Sequence, residues 1–140
     1  MKKVSNNFYV SHQIQPSDID NLHNQGFNIV ICNRPDAEEP NQPSKADISL
    51  ECQKHNIEFN DLEMKPGDIN FATIEDTKKI IDSNQKVFAY CRTGTRSITL
   101  WALASCYTKD INEIMEEVSH AGFDLGHLKD IFTSFKANLS

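Results

Sequence analysis

Apolar residues change their spacing several times along this chain, and each change predicts an element. Ile29-Val30-Ile31-Cys32 and Val87-Phe88-Ala89-Tyr90 are unbroken apolar runs. That is the pattern of strands buried on both faces. Phe8-Tyr9-Val10 predicts a short first strand, and Ile57 to Leu62 a third in chain order. Between these runs the spacing lengthens to three and four. Pro16 to Gln25 reads as a helix with proline near its start and Gly26 as its stop. Ser44-Lys45-Ala46-Asp47 has the form of a helix-start box. The helix it opens runs to His55, with Ala46/Leu50 and Ile48/Cys52 four apart. Asn70 opens a helix carrying Phe71, Ile74 and Ile81 on one stripe. Ser97 to Cys106 is apolar nearly all round, which predicts a central, buried helix. Two amphipathic helices follow. Asp110 caps the first, which carries Ile111, Ile114, Met115 and Val118; Leu128, Ile131, Phe132, Phe135 and Leu139 mark the second.

Alternating strands and helices followed by helices predict an α/β fold with a mainly parallel sheet covered on both faces. The chain shows no repeat and no linker, so residues 1–140 read as a single domain. In a sheet of this kind ligands bind beyond the carboxyl ends of the strands. Val87–Tyr90 ends there and runs directly into Cys91-Arg92-Thr93-Gly94-Thr95-Arg96.

Hydrophobic residues make up 39% and charged residues 24%, which excludes a disordered or fibrous chain. No apolar run approaches the ~20 residues that cross a bilayer. The lysines at the start have no apolar stretch behind them, so no secretory signal is read and a cytoplasmic location is expected. The net charge is −6, which argues against nucleic acid or an anionic membrane as partner. In so acidic a chain the neighbouring Arg92 and Arg96 mark a site for a small anionic substrate. Cys32, Cys52, Cys91 and Cys106 have no zinc spacing, and the five histidines no ligand spacing. Neither a metal nor a cofactor is expected. Cys32, Cys52 and Cys106 fall in apolar or helical stretches and suit buried packing.

Cys91 differs. A buried strand ends, and a buried helix begins six residues later. Gly94 permits the tight turn between them. Peptide N–H groups of such a loop converge on an anion, and the helix start adds partial positive charge. Arg96 adds a planar, bidentate grip on an oxyanion. Every feature that holds an anion also favours a thiolate over a thiol, so Cys91 is the expected nucleophile. Arg92, Thr93, Gly94 and Thr95 are expected to contact the substrate, and Ser97 could hydrogen-bond the sulfur.

Tyr90 to Ser97 looks like the active loop shared by protein tyrosine phosphatases and rhodaneses. Ile31-Cys32-Asn33-Arg34-Pro35-Asp36, Glu39 to Ser44, Pro66-Gly67 and Cys91 to Ala104 together resemble the phosphatase-like domain of beta-lactamase-hydrolase-like proteins. That is a bacterial family on a divergent dual-specificity phosphatase fold, and the resemblance runs from about residue 8 to residue 106. It implies a three-layer α/β/α protein tyrosine phosphatase-like fold around a four-stranded parallel sheet, with Cys91 as nucleophile and Arg96 as oxyanion ligand.

Two chemistries follow. As a phosphatase, Cys91 would form a phosphocysteine, and related enzymes supply an aspartate to protonate the leaving oxygen. Asp68, in Lys65-Pro66-Gly67-Asp68, occupies the corresponding region, and Asp36 is a second candidate. Arg34 is either a further anion contact or a partner for Glu38 or Glu39. As a sulfurtransferase, Cys91 would carry a persulfide. The four residues between Cys91 and Arg96, one fewer than in typical tyrosine phosphatases, fit the rhodanese loop. A third reading is a non-catalytic anion-binding module with a redox-sensing thiol, Cys32 or Cys106 acting as resolving cysteine.

Overall fold

The computed structural model describes residues 1–139. Its centre is a five-stranded sheet: β1 (Lys2–Ser5), β2 (Phe8–Ser11), β3 (Ile29–Cys32), β4 (Glu58–Asp61) and β5 (Val87–Tyr90), in spatial order β1-β2-β5-β3-β4. β2, β5, β3 and β4 run parallel; β1 pairs antiparallel with β2. The four expected strands are present, and the fifth is a correction to the expected count. Of β1 only Val4 is buried, so this edge strand carries no alternation to read.

The unbroken apolar runs are explained by what covers them. Ile29, Ile31, Val87 and Ala89 face one core cluster; Val30, Cys32, Phe88 and Tyr90 face the other. The helices α1 (Ile19–Asn24) and α2 (Lys45–Lys54) pack on the second cluster. The helices α3 (Phe71–Asp82), α4 (Thr95–Ser105), α5 (Ile111–His120) and α6 (Lys129–Ala137) pack on the first. The helix α4 is buried from Ser97 to Ser105, as its all-round apolar pattern requires.

Local signals set the helix ends. Ser44 Oγ accepts the Asp47 N–H at 3.1 Å, and Asn70 Oδ1 accepts those of Ala72 and Thr73. Pro16–Asp18 is a 3-10 turn that leads into α1, so the first expected helix is shorter than its polar-apolar pattern. Asp110 takes the cap position of α5 without a side-chain hydrogen bond. Leu50, Phe71 and Ile131 were expected on buried stripes and are exposed. At those turns only one side of the helix meets the core, and it is carried by Ile48, Ile74 and Phe132.

Candidate active site

The site lies where four parallel strands stop side by side. Ladder bonding continues past their ends: Asn33 N–H donates to Tyr90 O at 2.8 Å, Cys91 N–H to Ser11 O at 3.3 Å, and Leu62 N–H to Cys32 O at 3.0 Å. Asn33 Nδ2 donates to Leu62 O at 2.7 Å. The loops after β2, β3, β4 and β5 are thereby brought together at one edge.

Cys91 leaves β5 fully buried, and Gly94 N–H donates to its Sγ at 3.1 Å. Gly94 caps α4 with φ +94, a left-handed conformation that bends the chain back over the sulfur. A Cβ at Gly94 would stand 3.1 Å from Phe123 Cζ and 3.5 Å from Ser11 O, so the turn is also closed from outside. Thr93 Oγ1 donates to Thr95 Oγ1 at 3.1 Å across its mouth.

Arg96 is fixed end-on. Its Nη1 and Nη2 donate to Glu38 Oε2 and Oε1 at 2.9 and 2.8 Å, and Nη1 also donates to Met64 O at 2.9 Å. Nε and the second proton of Nη2 are left without a partner among the described residues. They form one edge of the planar fork, the edge that takes an oxyanion bidentately.

Glu38 is the residue that sequence reasoning missed: Asp36, Glu38 and Glu39 look like an ordinary solvated run. Arg34, 1% exposed, accounts for the difference. It donates from Nε to Glu38 Oε1 at 2.8 Å, from Nη2 to Glu39 Oε1 at 2.6 Å, and from Nη1 to Gln13 Oε1 at 3.0 Å. All three of its nitrogens are engaged inside the protein, so Arg34 anchors the loop between β3 and α2 and is not placed to grip a substrate. Glu39 also approaches Arg92 Nε at 3.4 Å. The hydrogen bonds from Arg96, with Arg34 adding to them, hold the Glu38 carboxyl below the usual glutamate range. Ala37, immediately before Glu38, has φ +61 and turns the chain there. A helical or alternating pattern could not have signalled this; the two acids beside Arg34-Pro35 were the only hint.

The other expected site residues separate. Asp36 Oδ1 accepts the Lys45 N–H at 2.9 Å, at the start of α2. Asp68 lies exposed on a turn closed by its own N–H to Lys65 O at 3.0 Å. Ser97 is buried, and its Oγ makes no hydrogen bond among the described residues, to Cys91 or elsewhere. Cys32 donates to Arg34 O at 3.3 Å and Cys106 to Ala102 O at 3.3 Å, while Cys52 lies on the buried face of α2. Burial raises all three thiols, Cys52 to about 12.

Above the loop opens a cleft of about 370 Å³. Arg92, Thr93, Thr95, Arg96 and Thr99 line its polar side, and Met64, Pro66, Ile69 and Leu128 its apolar walls, with Gly67 and His127 completing it. Asp68 is not among these residues. Among the described residues no helix is long and apolar enough to cross a membrane.

A phosphatase candidate from Neisseria meningitidis Z2491 superposes with a TM-score of 0.82 at 28% identity, over 96% of each chain. Tk-PTP, solved in its active form, superposes at 0.73 over 97% of this chain and 95% of its own; at 15% identity that likeness is one of fold. A beta-lactamase hydrolase-like protein of Xylella fastidiosa (strain Temecula1) is 28% identical over 126 residues. Those residues are 88% of this chain but only 29% of that relative's length. Residues 1–108 match the family model described as the phosphatase-like domain of beta-lactamase hydrolase-like protein. The chain carries the protein tyrosine phosphatase-like fold and belongs to that phosphatase-like domain family.

Proposed function

We propose that this domain hydrolyses phosphomonoesters through a phosphocysteine at Cys91. One observation carries the reading: Cys91 Sγ accepts the Gly94 N–H at the start of α4, beside an Arg96 whose outer edge is open. The thiolate attacks phosphorus and forms an S–P bond as the P–O bond breaks. The developing charge on the equatorial oxygens meets the loop amides, the helix start and the Nε/Nη2 edge of Arg96. Because Glu38 and Met64 O already hold that guanidinium, it has little left to reorganise when charge appears. Water then hydrolyses the phosphocysteine, and phosphate leaves the thiolate behind. The unpaired hydroxyl of Ser97 is available to the sulfur in that second step.

The test is single-turnover hydrolysis of p-nitrophenyl phosphate with acid quench. A phosphorylated Cys91 peptide, lost in Cys91→Ser, is the expected result; turnover surviving that substitution would refute the reading. The short spacing from Cys91 to Arg96 favours a second reading, persulfide transfer. A gain of one sulfur on Cys91 after thiosulfate, together with no phosphoenzyme, would support it.

A further inference from the structure

Arg34 is 1% exposed, and its contacts lead to both ends of the cysteine loop. Toward Arg96 the path runs through Glu38. Arg34 Nε and Arg96 Nη2 each donate to the same oxygen, Glu38 Oε1, at 2.8 Å. Toward Arg92 there are two paths. Glu39 Oε1 accepts from Arg34 Nη2 at 2.6 Å and stands 3.4 Å from Arg92 Nε. Gln13 Oε1 accepts from Arg34 Nη1 at 3.0 Å, and the Gln13 N–H donates to Arg92 O at 3.4 Å. Gln13 follows β2, Glu38 and Glu39 follow β3, and Arg92 and Arg96 follow β5. One side chain therefore ties three loops together.

Both geometry and charge give that tie a consequence for the site. A buried guanidinium is tolerated only when it is paired and hydrogen-bonded, and Arg34 meets its acceptors in three directions. Those directions fix where the acceptors stand. Because Glu38 Oε1 is shared, a shift of Arg34 moves the carboxylate that holds Arg96, and with it the free edge of Arg96. Glu38 and Glu39 are also adjacent carboxylates beside a site for an anion. Arg34, Arg92 and Arg96 set three positive charges against these two negative ones; without Arg34 the charges only balance. A lysine at position 34 would keep the charge but not the planar fork.

We propose that Arg34 is a positioning residue for phosphoryl transfer: its fork sets Glu38, and through Glu38 the oxyanion edge of Arg96, while Glu39 and Gln13 hold Arg92 at the other end of the loop. The inference rests on the cysteine-phosphatase reading. All three Arg34 nitrogens are engaged, so it acts through Arg96 and not on the substrate. An Arg96 set loose from this frame keeps its charge and still attracts the phosphomonoester. It meets the transferring charge less well, so the loss falls on kcat.

The experiment is a double-mutant cycle on p-nitrophenyl phosphate. Arg34→Lys and Gln13→Ala are each measured alone and combined with Arg96→Ala, with a thermal midpoint for every variant. Arg34→Lys is expected to lower kcat about tenfold and to change KM less than about threefold, since misplacing a catalytic group costs rate more than ground-state binding. With alanine already at position 96 the same substitution should cost less than about twofold, because residues that act through one another are not additive. The full loss in both backgrounds would make Arg34 a structural anchor only and overturn the proposal. So would an unchanged kcat in Arg34→Lys. If Arg34→Lys does not fold, Gln13→Ala carries the same cycle, since it removes one acceptor and leaves both carboxylates paired. Its expected loss is about threefold in kcat, present only where Arg96 is present; equal losses in the two backgrounds, or none, would overturn the proposal. Failure of the unsubstituted protein to form a phosphoenzyme on p-nitrophenyl phosphate would instead overturn the underlying reading, and this proposal with it.

Discussion

The ends of β3 and β5 began as near-equivalents and were put to opposite uses. One reads Ile31-Cys32-Asn33-Arg34, the other Ala89-Tyr90-Cys91-Arg92: two adjacent buried strands, with a cysteine as the last residue of β3 and the first residue past β5, two and one residues before an arginine. In the sheet Cys32 is paired with Tyr90, not with Cys91. That one-residue offset matters because successive side chains in a strand point to opposite faces. Cys32 turns into the cluster under α1 and α2, where burial raises its thiol. Cys91 lies one residue beyond its strand and meets the Gly94 amide. The arginines divide likewise. Arg34 spends every nitrogen holding Glu38, Glu39 and Gln13, whereas Arg96 keeps one edge free. A thiol that accepts a loop amide and a guanidinium with a free edge come together only where the following chain supplies a left-handed turn and a helix start.

The sharpest way to break that contrast is to exchange the sulfurs. Cys91→Ser is expected to lower p-nitrophenyl phosphate turnover at least ~10³-fold, since the hydroxyl is a far poorer nucleophile here. Cys32→Ser should leave turnover within a few-fold and lower the thermal midpoint, because it buries a hydroxyl among apolar neighbours. Equal losses in the two would erase the distinction.

The guanidiniums come next. Arg96→Ala removes charge stabilisation at the transferring phosphoryl group and is expected to cost about 10²–10³-fold in kcat. Glu38→Gln leaves Arg96 present but loosely held, so a smaller loss is expected, about tenfold. Steady-state kinetics that rank these two the other way would mean that Glu38 does more than position Arg96.

At Gly94 the effect is on stability. Gly94→Ala forces a side chain into a left-handed conformation and against Phe123, at a cost of about 1–3 kcal/mol, read by chemical denaturation. Adding Phe123→Ala should relieve the contact but not the backbone strain, and so recover only part of the loss.

The smallest effect is pH dependence. Arg96 and Arg34 depress the Glu38 carboxyl in the folded state relative to its ordinary value of 4.5. A depressed carboxylate stabilises the fold at pH above the unfolded value, and that contribution is lost as pH falls through the folded value. Thermal melts of the unsubstituted protein and Glu38→Gln should therefore converge on acidification below about pH 4.5 and separate above it. Curves that stay parallel would show that Glu38 gains nothing from its arginines.

The sequence by itself determined the parallel strands, the helix starts and the loop from Cys91 to Arg96. Each depends on neighbours within a few residues: apolar runs, Ser44 and Asn70 at the caps, and Gly94 before an apolar helix. It did not reveal β1, whose exposed edge leaves only Val4 to be patterned, nor the partners of Arg96. Glu38 is 58 residues from Arg96 and Met64 is 32. Their meeting is decided by the order β2-β5-β3-β4, which sets the ends of distant strands side by side. A hydrogen bond across such a distance leaves no periodicity in the chain; a carboxylate that orients a guanidinium and one that merely faces water are spelled the same way.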